Sequence, residues 1–188
     1  MGRRIEAKLD AKHIRFTLAF SAIFQMVHEM IKHAVLDQVS SFYGQDEASK
    51  HFGLTNDAGY AEVLRLAPKN KFAAHLTWLV NAGAIAPEHA ERLDAVRRHR
   101  HDVTHEVVAF LVDPKRDPDV DLLVDAVTIL DALTRFWTQI EADIGTFEDF
   151  PDVDVSEIRP VSMTVLGLCL EAVIEAAKDI TGEDTKQS

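Results

Sequence analysis

From Ile5 to about Val39, apolar side chains return every three or four positions: Leu9, Phe16, Phe20, Ile23, Phe24, Val27, Met30, Ile31 and Val35. That spacing lines one face of an α-helix, and neither Pro nor Gly interrupts it. The pattern predicts one long first helix over residues 5 to 40, with a break allowed near Asp10. Residues 41 to 70 are choppier, because Gly44, Gly53, Gly59 and Pro68 punctuate them. Within them Asn56 or Asp57 is placed to cap a short helix running to Leu66. This stretch reads as an insertion after the first helix. Residues 71 to 82 carry a short apolar helix with Trp78, and Gly83 stands where a left-handed residue ends a helix.

Pro87 occupies a first-turn position and Glu88 adds a negative charge near the same N-terminus, so a helix is expected from Pro87 to Val112. The string Asp113-Pro114-Lys115-Arg116-Asp117-Pro118 is a loop, since two prolines and their constrained predecessors cannot continue it. A further helix is predicted over 119 to 144, ended by Gly145. Residues 148 to 157 are acidic, without apolar periodicity, and read as exposed. A last helix covers 162 to 180, and 182–188 read as a flexible tail. Nothing repeats at a fixed period and strand alternation is absent. The expected fold is an all-α bundle of four to five main helices, with an inserted segment at 41–70, in a single domain over 1–188.

Composition narrows the picture. The chain has 188 residues, 47% of them hydrophobic, enough to bury a core without a disulfide staple. The single cysteine, Cys169, excludes an intrachain disulfide and fits a reducing, cytoplasmic setting. Lying among Val165, Leu166, Leu168 and Leu170, it is expected to be a small buried hydrophobe. With 20 Lys and Arg against 31 Asp and Glu, the net charge of -11 disfavours a broadly basic surface. An anionic partner would have to be met at a local patch. The stretch Phe16 to Val27 is too short to span a membrane, so no membrane association is expected. Glu6 and Asp10 do not suit a signal peptide, and Glu6 stands where a myristoylation signal wants Ser or Thr.

One segment concentrates chemistry. On the helix beginning at Pro87, apolar residues fall at Leu93, Val96, Val103, Val107 and Phe110, and Arg100 occupies the missing position of that seam. A guanidinium there must reach past the core or meet an anion. Around it run Arg97, Arg98, His99 and His101, then Asp102 and His105. In so acidic a chain this is the best candidate for an anion-binding patch, although charges on a helix more commonly form a solvated face. The remaining histidines, His13, His28, His33, His51, His75 and His89, are scattered and read as surface or hydrogen-bonded core residues. Trp78 and Trp137 read as core anchors.

The segment from Ala86 to His105 resembles the signature helix of HEPN domains, an Arg, a polar residue, a few further residues and a His, with another Arg three positions upstream. Here these are Arg100, His101, His105 and Arg97. The resemblance covers residues 70 to 145 in detail and implies a HEPN-like helical bundle. It also implies metal-independent endoribonuclease activity of the kind found in toxins, phage defence and RNA processing, without cofactor or metal, with two protomers bringing their motifs together. His105 would take the proton of a ribose 2′-hydroxyl and Arg100 would stabilise the phosphorane charge, with His101 orienting His105 or donating to the leaving oxygen. Arg97 and Arg98 would hold RNA phosphates. The implied homodimer forms through helix 87–112. His101 replaces the commoner Asn. Val107 stands where toxins paired with nucleotidyltransferase antitoxins often carry Tyr, which disfavours that pairing and leaves another protein antitoxin or regulator open.

Helix geometry is in tension with part of this. At about 100° per residue, Arg100 and His105 lie about 140° apart on a straight helix, so they share a face only if the helix distorts or Arg100 curls around it, or a dimer brings both motifs to its seam. Two other readings stay open. His101 and His105, with Asp102 after the first, also resemble a zincin pair, although Asp is shorter than the usual Glu and no third His is evident. A non-catalytic HEPN-like dimerisation or binding module is the remaining alternative.

Overall fold

A computed structural model describes residues 9–150, 152 and 154–181; about three quarters of them are helical and none lies in a strand. The all-α expectation is borne out. Among the described residues no helix is long and apolar enough to cross a membrane. The segment 182–188 and the expected helical residues 5–8 lie outside the described residues. The chain groups into two compact units, each gathered from separated stretches.

The first unit holds the described residues up to His28, then Ala95–Val124 and the stretch from Arg159 onward. Helix α1 (Ala11–Lys32) starts beside Asp10, whose carboxylate accepts the backbone N–H of Lys12 at 3.3 Å. The break allowed near Asp10 is thus the cap of the helix. Phe20, Ile23, Phe24 and Val27 of the expected three-four stripe are buried, with Thr17 beside them, whereas Phe16 is half-buried and Leu9 is exposed. From the other stretches of this unit Val96, Val103, Phe110, Leu122, Leu123, Leu166 and Val173 are buried.

The helix expected without interruption from 87 to 112 is divided between two elements, named by their chain order α6 (Pro87–His105) and α7 (Val107–Val112). Glu106 leaves helical geometry at φ −117°, ψ 27°. Val103, Thr104, Val107 and Val108 are all β-branched, and such a run holds a helix weakly. Glu106 also forms an ion pair with Arg116, whose guanidinium lies over the Phe110 ring at 5.9 Å from its centre. Weak local propensity permits the bend and this contact fixes it. In α9 (Val161–Thr181) Leu166 and Val173 face inward, while Cys169 lies beside that stripe and is half-buried. The expectation of a buried thiol is corrected accordingly.

The second unit holds Glu29–Asp94 and Asp125–Ile158. Here α1 passes through a π turn, His33–Asp37, into α2 (Gln38–Phe42). A π turn widens the backbone ladder and leaves carbonyls to other donors. The carbonyl of Ala34 accepts Trp137 Nε1–H at 3.0 Å, and that of Val35 accepts His75 Nδ1–H at 2.9 Å. The second His75 nitrogen receives the Tyr60 hydroxyl at 3.1 Å. His75 is therefore a hydrogen-bonded core residue, as expected. Trp137 is buried and stacks on Trp78, planes 20° apart and centres 6.2 Å apart.

The inserted segment contains α3 (Glu47–His51), capped by Asp46, and α4 (Asp57–Arg65), capped by Asn56 through Gly59 N–H at 2.9 Å. Between α2 and α3, Gly44 takes φ +69°, and a Cβ there would stand 2.1 Å from the Leu54 carbonyl oxygen. No side chain fits, so glycine lets the segment fold back on itself. The unit continues through α5 (Lys71–Asn81), the first turns of α6 and most of α8 (Val120–Asp143).

Candidate functional site

The last turns of α6 belong to the first unit and carry Arg97, Arg98, Arg100, His101, Asp102 and His105. Val96 and Val103, each 1% exposed, turn this part of the helix inward. That orientation sends Arg97, Arg98, His101 and His105 to solvent and leaves Arg100 and Asp102 half-buried. Arg97, Arg98, Arg100, His101 and Asp102 line one open depression of about 450 Å³. The three guanidiniums give it a positive field within a chain of net charge -11. The C-terminal end of a helix carries partial negative charge, which by itself favours cations and opposes an anion. Any anion held here therefore depends on the arginine side chains, which offer fork geometry to phosphate oxygens.

His105 does not line the depression. The helix stays regular through His105 and bends only at Glu106, so the bend does not carry His105 round to Arg100. His105 instead neighbours His101: their ring centres are 4.5 Å apart, the planes inclined at 48°. His101 thus belongs to both groupings, the arginine-lined depression and the histidine pair. Among the described residues no group of three or more His, Cys, Asp or Glu is placed to hold a metal ion. Catalytic zinc sites use three protein ligands, which this pair does not reach.

His99 is the residue that the seam argument passed over. Its imidazole is enclosed by the rings of Phe20, Phe24 and Phe110, at 6.3, 5.0 and 5.9 Å between centres. Nε2 accepts the backbone N–H of Asp119 at 3.2 Å, which places the ring proton on Nδ1. Burial pushes its titration below the ordinary 6.5, while the charges of Asp119 and Asp102 pull the other way. The gap in the apolar seam is therefore shared: His99 fills its inner side and Arg100 its edge. The signal was present in the spacing, since His99 stands three residues after Val96 and four before Val103.

Asp119 in turn caps α8 by accepting Leu122 N–H at 2.9 Å. The contact with His99 thereby ties the motif helix to the start of α8 through the loop Asp113–Asp119, whose Asp113 carboxylate accepts Lys115 N–H at 2.9 Å. No family model, curated protein or solved structure matches this chain.

Proposed function

We propose that this protein is a metal-independent endoribonuclease of the HEPN type, serving in a stress response or phage defence. The observation that carries the reading is the depression in which Arg97, Arg98, Arg100 and His101 converge, with His105 beside His101. In this reading the guanidiniums of Arg97 and Arg98 hold RNA phosphates and Arg100 meets the oxygens of the phosphate under attack. An imidazole removes the 2′-hydroxyl proton, the 2′-oxygen bonds to phosphorus, and the bond from phosphorus to the 5′-oxygen breaks. A proton returned by the second imidazole completes the 5′-hydroxyl product and leaves a 2′,3′-cyclic phosphate. No step requires a metal.

His105 lies outside the arginine-lined depression of its own chain. The reading therefore includes a homodimer about a two-fold axis through α6, in which the His105 of one copy serves the Arg100 of the other. Cytoplasmic location and control by a protein antitoxin or other regulator belong to the same proposal. The test is incubation with a mixed RNA pool in EDTA, followed by identification of product ends. Cyclic phosphates produced by the wild type, and not by Arg100→Ala or His105→Ala, are expected.

The same separation of His105 from the depression favours a second reading, a non-catalytic module that binds an anionic partner. Identical RNA profiles from folded wild-type and His105→Ala proteins would select it.

A further inference from the structure

We propose that His101 and His105 form a two-nitrogen chelate for a divalent transition metal, with copper(II) preferred. The two residues are one helical turn apart on the same face of α6, and both are solvent-exposed. Among the described residues neither ring has a hydrogen-bond partner, so both are free to turn a nitrogen toward a common ion. A metal–nitrogen bond of about 2.1 Å places an imidazole centre about 3.2 Å from the ion. Two such rings at a right angle then stand about 4.5 Å apart, and at a tetrahedral angle about 5.2 Å apart. The observed 4.5 Å matches the right angle. Among divalent ions, nitrogen sites bind copper(II) more tightly than nickel(II) or zinc(II), and copper(II) takes nitrogen ligands in the tetragonal geometry to which a right angle belongs.

Two protein nitrogens leave the other coordination positions to water. The arrangement is thus an exchangeable binding site, different from the three-ligand centre that a zinc hydrolase requires. Arg97 stands one turn before His101 and Arg98 beside it, and both repel a dication, while Asp102 attracts it. Glu106 is engaged by Arg116. Because the metal occupies the lone pair that would otherwise accept a proton, chelation silences both imidazoles as acid or base. This last consequence rests on the ribonuclease reading; the binding itself does not.

The experiment is calorimetric titration of the full untagged chain, without RNA, with copper(II), nickel(II) and zinc(II) salts at pH 7.5. Expected are one ion per chain at this site and affinity in the order copper, nickel, zinc. His101→Ala and His105→Ala should each weaken copper binding at least tenfold, and His33→Ala should leave it unchanged. Arg97→Ala should tighten it a few-fold, since it removes a like charge. Nitrogen hyperfine structure from two imidazoles in the copper spectrum should vanish in the double variant. The substituted positions are exposed on a helix where Ala is favourable, and circular dichroism verifies that the variants fold. Copper binding by the folded double variant equal to that of wild type overturns the proposal. A parallel RNA assay separates the two ideas. Metal binding without any cleavage removes the nuclease reading alone, whereas cleavage without metal binding at this pair removes the chelate alone.

Discussion

The backbone N–H of Asp119 donates to Nε2 of His99 at 3.2 Å, joining the helix that carries the arginine cluster to the cap of the next long helix. A protonated His99 has no lone pair left for that bond. In the second unit His75 is held in a comparable way between Tyr60 and the Val35 carbonyl. Burial is the largest influence on both imidazoles and puts their titration below 6.5. For His75 the Val35 hydrogen bond acts in the opposite sense and Lys71 in the same sense.

A pH dependence follows from those directions. The unfolded chain takes up protons at these positions near pH 6.5, before the folded chain does. Their contribution to stability is whole above pH 6.5 and declines as pH falls below 6.5 toward the lower folded-state values. Asp46 and Asp154, held below 3.8 by hydrogen bonds from Ser49 and Ser156, act in a separate window beneath pH 4. Urea midpoints are therefore expected to be lower at pH 5.5 than at pH 7.5, and the difference should shrink in a His99→Gln, His75→Gln double variant. An undiminished difference in that variant would refute the assignment.

Loss of either Arg100 or His105 is expected to lower RNA cleavage by at least about a hundredfold, since general acid-base catalysis contributes about 10²–10⁴ and a preorganised charge contact about 10²–10³. Folding should survive, because His105 is exposed and Arg100 is only half-buried. Arg97→Ala should act more weakly and flatten the salt dependence of RNA binding. Asp102→Ala should leave cleavage within about an order of magnitude, since 2′-hydroxyl attack demands no carboxylate. Initial rates on a labelled single-stranded RNA in EDTA check all four.

Gly44 and Gly53 share φ +69°, yet they should respond differently to alanine. At Gly53 nothing lies within 4 Å of an added Cβ, so the cost is the left-handed backbone alone, about 1 kcal/mol. At Gly44 the same atom meets the Leu54 carbonyl, and the cost should exceed about 2 kcal/mol. Urea denaturation of the two variants gives the comparison, and equal losses would contradict it.

Trp137→Phe retains a large apolar ring but leaves the Ala34 carbonyl without its indole donor. A loss of about 1–3 kcal/mol is expected from the unsatisfied buried acceptor. Trp137→Ala should cost more, about 3–5 kcal/mol, through the cavity. Thermal unfolding of both variants measures the order, which a smaller loss in the alanine variant would reverse.

The helices were legible in the chain because their signals are local. Three-four apolar spacing marked α1, α5, α6 and α8, Asn56 and Pro87 marked starts, and Gly83 and Gly145 take the positive φ that their positions as stops implied. The arginine-histidine cluster was equally visible, since five of its members lie within six consecutive residues, Arg97 to Asp102. Tertiary structure alone decided three things. It broke the helix at Glu106, where a weak β-branched run was settled by an ion pair with Arg116, ten residues away. It opened a π turn at His33–Asp37, whose carbonyls serve Trp137 and His75 from distant parts of the chain. It also turned His99 inward between Phe20, Phe24 and Phe110, leaving Arg100 at the seam edge and placing His101, not His105, at the arginine-lined depression. Periodicity gives the angle of a residue around its own helix; which neighbouring surface meets that angle depends on contacts between residues far apart in the chain, and spacing carries no record of them.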